Sequence, residues 1–552
     1  MPNQSKKVIL PTIEHDPYVW LEAIEDEKAL AWVREQNQYS QTILEALPNF
    51  EAIRKHELLS LDSEDKIPFI SKQGKWYYNF WKDTTHVRGL WRRTTLESYR
   101  TLQPDWETVL DLDKLAEDEQ ENWVWQGAVF LEPEYERCLM HLSRGGSDAN
   151  VIREFDAIKK SFISDGFFLP ESKGGASYRN SDSLLVGRDF GEGSLTTAGY
   201  PRVVKYWQRG TSLGKAEVVL EGKPEDMGVY AYLSRVRGIV HEIIERRPTF
   251  WTNEIYLRRA GELIKLEVPE DAYVAVFAQW LTLDLKSPYE VAGKTYPTGA
   301  LLVIDLEAFL QGQRNFDLLF EPAERTVLDS WIVTQNYLVL NVSANLERKL
   351  YTLKYENAVW IKQELESPIK GSVTIWAEDD EASDYFFLEG SDYLTPSSLF
   401  YGDAEKHHFE KLKQAPHWYD SSKFVAEKFE TKSKDGETIP YFVIHRKDIS
   451  LDSKNPTLLY GYGGFEISKG PMYKSATWLD YGGIWVDAVL RGGGEFGPDW
   501  HWAATKENKQ RTFDDFIAIA EDLIKRGFTS PEHLGIMGGS NGGLLMGAML
   551  TQ

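Results

Sequence analysis

A chain of 552 residues with 42% hydrophobic and 27% charged residues is too long for one core and too apolar for a long disordered or collagen-like stretch, so at least two folding units are expected. A formal net charge of −23, with no block of Lys and Arg, excludes nucleic acid as a partner. The single cysteine, Cys138, excludes an intramolecular disulfide and a zinc knuckle, and its apolar setting Cys138-Leu139-Met140 reads as buried filler.

The amino terminus, Met1 to Leu10, lacks the apolar core of a signal peptide, and no run approaches the roughly 18 apolar residues of a membrane helix. A cytoplasmic monomer with no membrane partner, no metal and no cofactor is therefore expected. From Trp20 to Leu59 the spacing of Trp20, Leu21, Ile24, Leu30, Trp32 and Val33, and of the apolar residues after Ile43, predicts two or three amphipathic helices.

From about Lys66 the pattern changes to short alternating runs such as Trp76-Tyr77-Tyr78-Asn79-Phe80-Trp81, which continue for some 350 residues. The aromatic content of 13%, from 19 Trp, 27 Tyr and 26 Phe, suits pleated sheets. Strand pairs are predicted at Tyr337 to Val342 with Lys349 to Tyr355, and at Asp384 to Glu389 with Ser398 to Tyr401. Their spacing of roughly 40 to 50 residues fits propeller blades, but the repeat is degenerate, and a pair of β-sandwiches satisfies the same pattern.

Beyond Phe429 strands alternate with helical pattern, the signature of an α/β layer fold. Strands are predicted at Ile439 to His445, Thr457 to Tyr460, Ile484 to Leu490 and Leu534 to Met537. A helix capped by Thr512 with Asp515 carries Phe513, Phe516, Ile517, Ala520, Leu523 and Ile524 on one face and ends at Gly527.

The last of these strands runs into Gly538-Gly539-Ser540-Asn541-Gly542-Gly543. G-x-S-x-G between a strand and a helix is the setting of a nucleophile elbow, where a side chain at Gly538 or Gly542 would strike neighbouring backbone. Ser540 is the candidate nucleophile, and the helix from Asn541 directs its first N–H groups toward the oxyanion. Gly461-Tyr462-Gly463-Gly464-Phe465 follows another strand, where this fold class carries its second oxyanion donor, and the Tyr462 phenol suits that role beside the Asn541 N–H. The run Arg491 to Gly497 lacks both phosphate-loop frames and reads as structural. His501 and His533 precede the serine, against the chain order Ser, acid, His, and read as surface or loop histidines.

Taken together, Tyr460 to Phe465, Arg491 to Gly497, Asn508-Lys509-Gln510, Phe513 to Phe516, Thr529-Ser530-Pro531 and Gly538 to Gly543 resemble the prolyl oligopeptidase family of serine peptidases. Asp16 to Glu22 and Trp32 to Asn37 resemble it as well. The resemblance implies an α/β-hydrolase domain (419–552) with an inserted seven-bladed β-propeller (67–418) and a helical amino-terminal segment (1–66) that packs on the hydrolase domain. It also implies cleavage of short peptides after proline, Tyr462 and Asn541 as oxyanion donors, and Phe465 lining the proline pocket. Oligopeptidase B-like and acylaminoacyl peptidase specificities belong to the same family, and an inactive propeller-containing binding protein is the alternative from another class. Residues 541–552 contain no Asp, Glu or His, so the acid and base of the triad are absent from the chain. An incomplete hydrolase domain, an open sheet edge and an inactive chain are expected.

Overall fold

The computed structural model describes residues 16–23, 25–473 and 476–552 and divides the chain into two compact units, 1–63 and 64–552. In the first unit, Asp26 caps the helix Glu27–Leu44 by accepting from the Lys28 and Ala29 N–H groups at 2.9 and 3.2 Å. A second helix spans Phe50–Leu61. Trp20 packs edge-on against Trp32 at 6.4 Å; Ile24 lies outside the described residues.

In the second unit, alternating sequence becomes seven consecutive antiparallel sheets whose first strands begin at residues 71, 123, 175, 228, 273, 326 and 372. Each sheet is built from neighbouring hairpins, and the expected pairs occur: Tyr337 opposes Lys354, and Phe387 opposes Tyr401. This is a seven-bladed propeller rather than two sandwiches, because every blade takes its strands from one continuous segment and packs on its neighbours in sequence. The ring closes between the seventh and first blades through side chains. Lys72 pairs with Asp379 at 2.9 Å and Arg100 with Glu410 at 2.9 Å, while Tyr77 donates to Glu378. Ile70, Tyr77, Tyr99, Phe387, Leu399 and Tyr401 form the apolar seam. Cys138 is fully buried in the core of the first two blades, where burial pushes its thiol pKa up and keeps it inert.

The hydrolase sheet has five strands: β1 (Phe424–Lys432), β2 (Thr438–Arg446), β3 (Thr457–Tyr460), β4 (Ile484–Ala488) and β5 (Leu534–Met537). Their spatial order is β1-β2-β4-β3-β5, antiparallel at the β1 side and parallel from β4 onward. The helix Gln510–Lys525 buries Phe516, Ile519 and Leu523 against Tyr441, Val443, Leu459 and Val486. It starts two residues before the expected cap. Thr512 lies inside it and donates to the Arg491 carbonyl at 2.8 Å, and Asp515 binds Arg491; both side chains serve a tertiary contact instead of closing the helix end. Gly527, at φ 79°, follows the helix as expected. β5 is an edge strand with Ile536 and Met537 partly exposed.

Candidate active site

Parallel pairing of β3 with β5 sets Tyr460 opposite Met537, so the loops leaving both carboxyl ends emerge side by side. One is the Gly461-to-Phe465 loop and the other carries Ser540. Ser540 sits at φ 54°, ψ −119°, a strained conformation for a residue with a side chain, immediately before the helix Asn541–Thr551. The flanking glycines explain how the strain is tolerated. A Cβ on Gly538 would lie 2.6 Å from the Gly542 carbonyl oxygen, and one on Gly542 would lie 2.7 Å from that of Gly461. The residue between, Gly539, has open space around it.

The two loops are tied directly. The Asn541 side chain donates to the Tyr462 carbonyl at 2.8 Å, and Gly464 leaves room for that amide, since a Cβ there would come within 2.3 Å of Asn541 Nδ2. Tyr462 is buried, with the Lys469 ammonium 4.5 Å from its ring centroid. Phe465 is 46% exposed, so its ring presents a face to solvent. Phe250 and Trp251, from the fourth blade, meet that ring at 5.5 and 6.4 Å.

The Gly-rich run 491–497 is the structural loop expected, and the reason for its glycines is backbone-on-backbone packing. A Cβ on Gly492 would lie 2.6 Å from the Gly463 carbonyl oxygen, and one on Gly494 would lie 2.1 Å from that of Glu466. Arg491 anchors the run, donating to Asp515 at 2.6 and 3.0 Å and to Asp435 at 2.6 and 3.0 Å. Burial opposes its charge, but the two carboxylates outweigh burial and hold its pKa above the usual value.

His501 corrects the expectation of a surface or loop histidine. It lies in the short helix Pro498–Trp502, only 2% exposed, with Nδ1 2.6 Å from the Gly492 carbonyl and 3.0 Å from the Glu466 N–H. Burial lowers its pKa and favours the neutral ring, whose Nδ1–H donates to the Gly492 carbonyl of the 491–497 loop. His533 is exposed in the turn before β5. No described imidazole hydrogen-bonds to Ser540. Among the described residues no group of three or more His, Cys, Asp or Glu side chains is arranged to hold a metal ion. No helix of the described residues is long and apolar enough to cross a membrane.

Sequence reading missed several residues that border this site: Phe250 and Trp251, Lys469, Glu495, and the propeller residue Lys286, whose ammonium pairs with Glu466 at 3.0 Å. Glu495 is buried and accepts the Lys469 N–H at 2.8 Å, and its Oε2 has no hydrogen-bond partner among the described residues. Only the unusual charge within a run of glycines hinted at Glu495; the propeller residues carry no local signal.

Two family models match the chain: "Prolyl oligopeptidase, N-terminal beta-propeller domain" over residues 3–415 and "Prolyl oligopeptidase family" over 472–552. The chain is 37% identical to an uncharacterized peptidase, y4nA, of Sinorhizobium fredii, over 97% of its own length and 76% of that protein. It is 26% identical to a prolyl endopeptidase of Elizabethkingia meningoseptica, over 97% of this chain and 74% of the other. The structure matches that of a post-proline cleaving enzyme from Rickettsia typhi with a TM-score of 0.92 and 30% identity, covering 97% of this chain and 80% of the other.

Proposed function

The chain belongs to the prolyl oligopeptidase family, and from that premise we propose that it is a serine-type oligopeptidase acting on short peptides at the carboxyl side of proline. The same reading divides it at 1–66, 67–418 and 419–552 and gives it a cytoplasmic setting. The observation that carries the proposal is the Ser540 elbow: a strained serine at the end of β5, tied through Asn541 to the loop bearing Tyr462 and Phe465.

In this mechanism the Ser540 hydroxyl oxygen attacks the carbonyl carbon of the proline residue, and its proton passes to a base. The oxyanion accepts hydrogen bonds from the Tyr462 hydroxyl and the Asn541 N–H, each donor at roughly 2.7 to 3.1 Å. Collapse breaks the C–N bond, the amine leaves with a proton, and water then hydrolyses the ester on Ser540. The exposed face of Phe465 supplies a flat apolar wall for a proline ring. No described side chain stands in the place of the base, so residues 1–552 by themselves are expected to give no turnover.

The test uses calorimetric titration of residues 1–552 with acetyl-Gly-Pro-amide and acetyl-Gly-Ala-amide, alongside hydrolysis of a Gly-Pro chromogenic substrate. Preference for the proline peptide, weakened about tenfold by Phe465→Ala, is expected, that factor being about 1.4 kcal/mol. Equal binding of both peptides would overturn the proline reading. Chromophore release that disappears in Ser540→Ala would overturn the statement about the base.

A further inference from the structure

Phe465 and Glu466 are two successive non-glycine residues in the left-handed region, both at φ 55°. Each such residue is unfavourable by itself, so a consecutive pair persists only where the surroundings impose it. Part of that restraint comes from the hydrolase domain: the Glu466 N–H donates to Gly492 O at 3.3 Å, and the Ile467 N–H donates to Gly464 O at 3.1 Å.

The remaining restraint comes from the propeller. Lys286, two residues beyond the end of a fifth-blade strand, places its ammonium 3.0 Å from Glu466 Oε1 and 3.6 Å from Asp284 Oδ2. The side chains of Lys286 and Glu466 are 26% and 16% exposed, so the pair is well shielded from solvent. Lys286 is itself held in place, its carbonyl accepting from Trp502 Nε1 at 3.1 Å. The pair lines a cavity of about 270 Å³ whose wall includes Phe465, Asp329 and Ser468. Burial opposes the Lys286 charge, but Asp284 and Glu466 outweigh it and raise its pKa. Without that ammonium, the Asp284 and Glu466 carboxylates would face each other with no counter-charge between them.

We propose that Lys286 is a positioning residue for the peptide site: by pairing with Glu466 it holds the left-handed Phe465–Glu466 segment, and with it the aim of the Phe465 ring, from the propeller side. The consequence for peptide binding rests on the reading of Phe465 as a pocket wall; the consequence for the loop does not.

Amide hydrogen exchange on residues 1–552 tests the loop, with the Glu466, Ile467 and Lys469 amides as reporters. In Lys286→Met these exchange about tenfold faster, equivalent to about 1.4 kcal/mol of lost protection, while amides of the fifth-blade strands keep their wild-type rates. Lys286→Arg restores slow exchange, and Asp284→Asn added to Lys286→Met recovers part of it by removing the facing carboxylate. Glu466→Gln keeps an acceptor but not its charge and gives a smaller acceleration, which keeps the question decidable if Lys286→Met fails to fold. Unchanged exchange at the three reporters, or acceleration spread evenly over the whole chain, overturns the proposal. In the same proteins, affinity for acetyl-Gly-Pro-amide falls about tenfold in Lys286→Met and returns in Lys286→Arg. Failure of the wild-type chain to prefer the proline peptide would sink the functional reading alone, because the exchange rates still decide the role of Lys286.

Discussion

Replacing Glu495 by Gln isolates a carboxyl group that the fold buries at the edge of the candidate site. Burial pushes its pKa from 4.5 to about 7, against the Lys469 N–H, its own N–H and the more distant charges of Lys469 and Arg348, which all favour the ionised form. Between about pH 4.5 and pH 7 the folded chain holds a proton on Glu495 that the unfolded chain has released. Stability from this group is therefore fully present below pH 4.5, falls as pH rises through that window and is constant above it. At about 1.4 kcal/mol per pH unit, the interval amounts to about 3 kcal/mol. Glutamine keeps an oxygen for the Lys469 N–H and has no proton to lose. Urea unfolding of wild type and Glu495→Gln, followed at pH 4.5, 5.5, 6.5 and 8, should show the variant gaining about 3 kcal/mol on the wild type from the lowest pH to the highest. Contributions from Asp284 and Asp380, both raised to about 6 chiefly by burial, are common to the two proteins and cancel. Parallel stability profiles, differing by a constant, would refute the assignment of a buried, protonated Glu495.

Arg491→Met leaves the fully buried Asp515 carboxylate without its cation and should cost about 3 to 5 kcal/mol, measured by the same unfolding assay, with Asp515→Asn added to it recovering part of the loss. Gly542→Ala drives a methyl group against the Gly461 carbonyl oxygen and should lower stability by about 1 to 3 kcal/mol, whereas Gly539→Ala, with open space at its Cβ, should stay within about 0.5 kcal/mol of wild type. Equal melting temperatures for the two alanine variants would show that the elbow is not tightly packed on the 461–465 loop.

Ser540 and the 461–465 loop were legible from sequence because their constraints are local. A strained turn between a strand and a helix demands glycine on both sides within five residues, and that demand is written directly in Gly538 to Gly542. The α/β order of the last 130 residues was legible for the same reason, since hydrophobic period and glycine punctuation are properties of short segments. The amino-terminal helix was legible through the spacing of Leu30, Trp32 and Val33, whereas its cap, Asp26, was not read from the sequence.

The propeller was half legible. Alternation revealed strands, and pairs such as 337–342 with 349–355 were identifiable, but choosing between a ring of blades and two sandwiches depends on which sheets pack face to face. No repeated motif encodes that, because each blade meets its neighbours through a different set of aromatic and aliphatic side chains. The start of the 510–525 helix was misjudged because Thr512 and Asp515, good capping residues by local rules, are used to hold Arg491 and its carbonyl. His501 was misjudged because burial is conferred by Trp251 and Trp502, whose rings lie 4.8 and 4.7 Å away and of which one comes from the propeller.

The sequence by itself determined the glycine-flanked turn that carries Ser540, the glycine-rich 461–465 loop and the strand–helix alternation of the last 130 residues, because steric rules acting over a few residues leave few alternatives. Only the tertiary structure decided what holds that site in shape. Lys286 stands 180 positions from Glu466, and Phe250 is separated from Phe465 by the rest of the fourth blade and the whole of the fifth, sixth and seventh, so nothing in either local sequence announces the pairing. Their meeting follows from propeller loops reaching the hydrolase loop 461–466 and the helix 498–502, a long-range packing outcome that fixes a strained loop whose conformation local preference alone would not select.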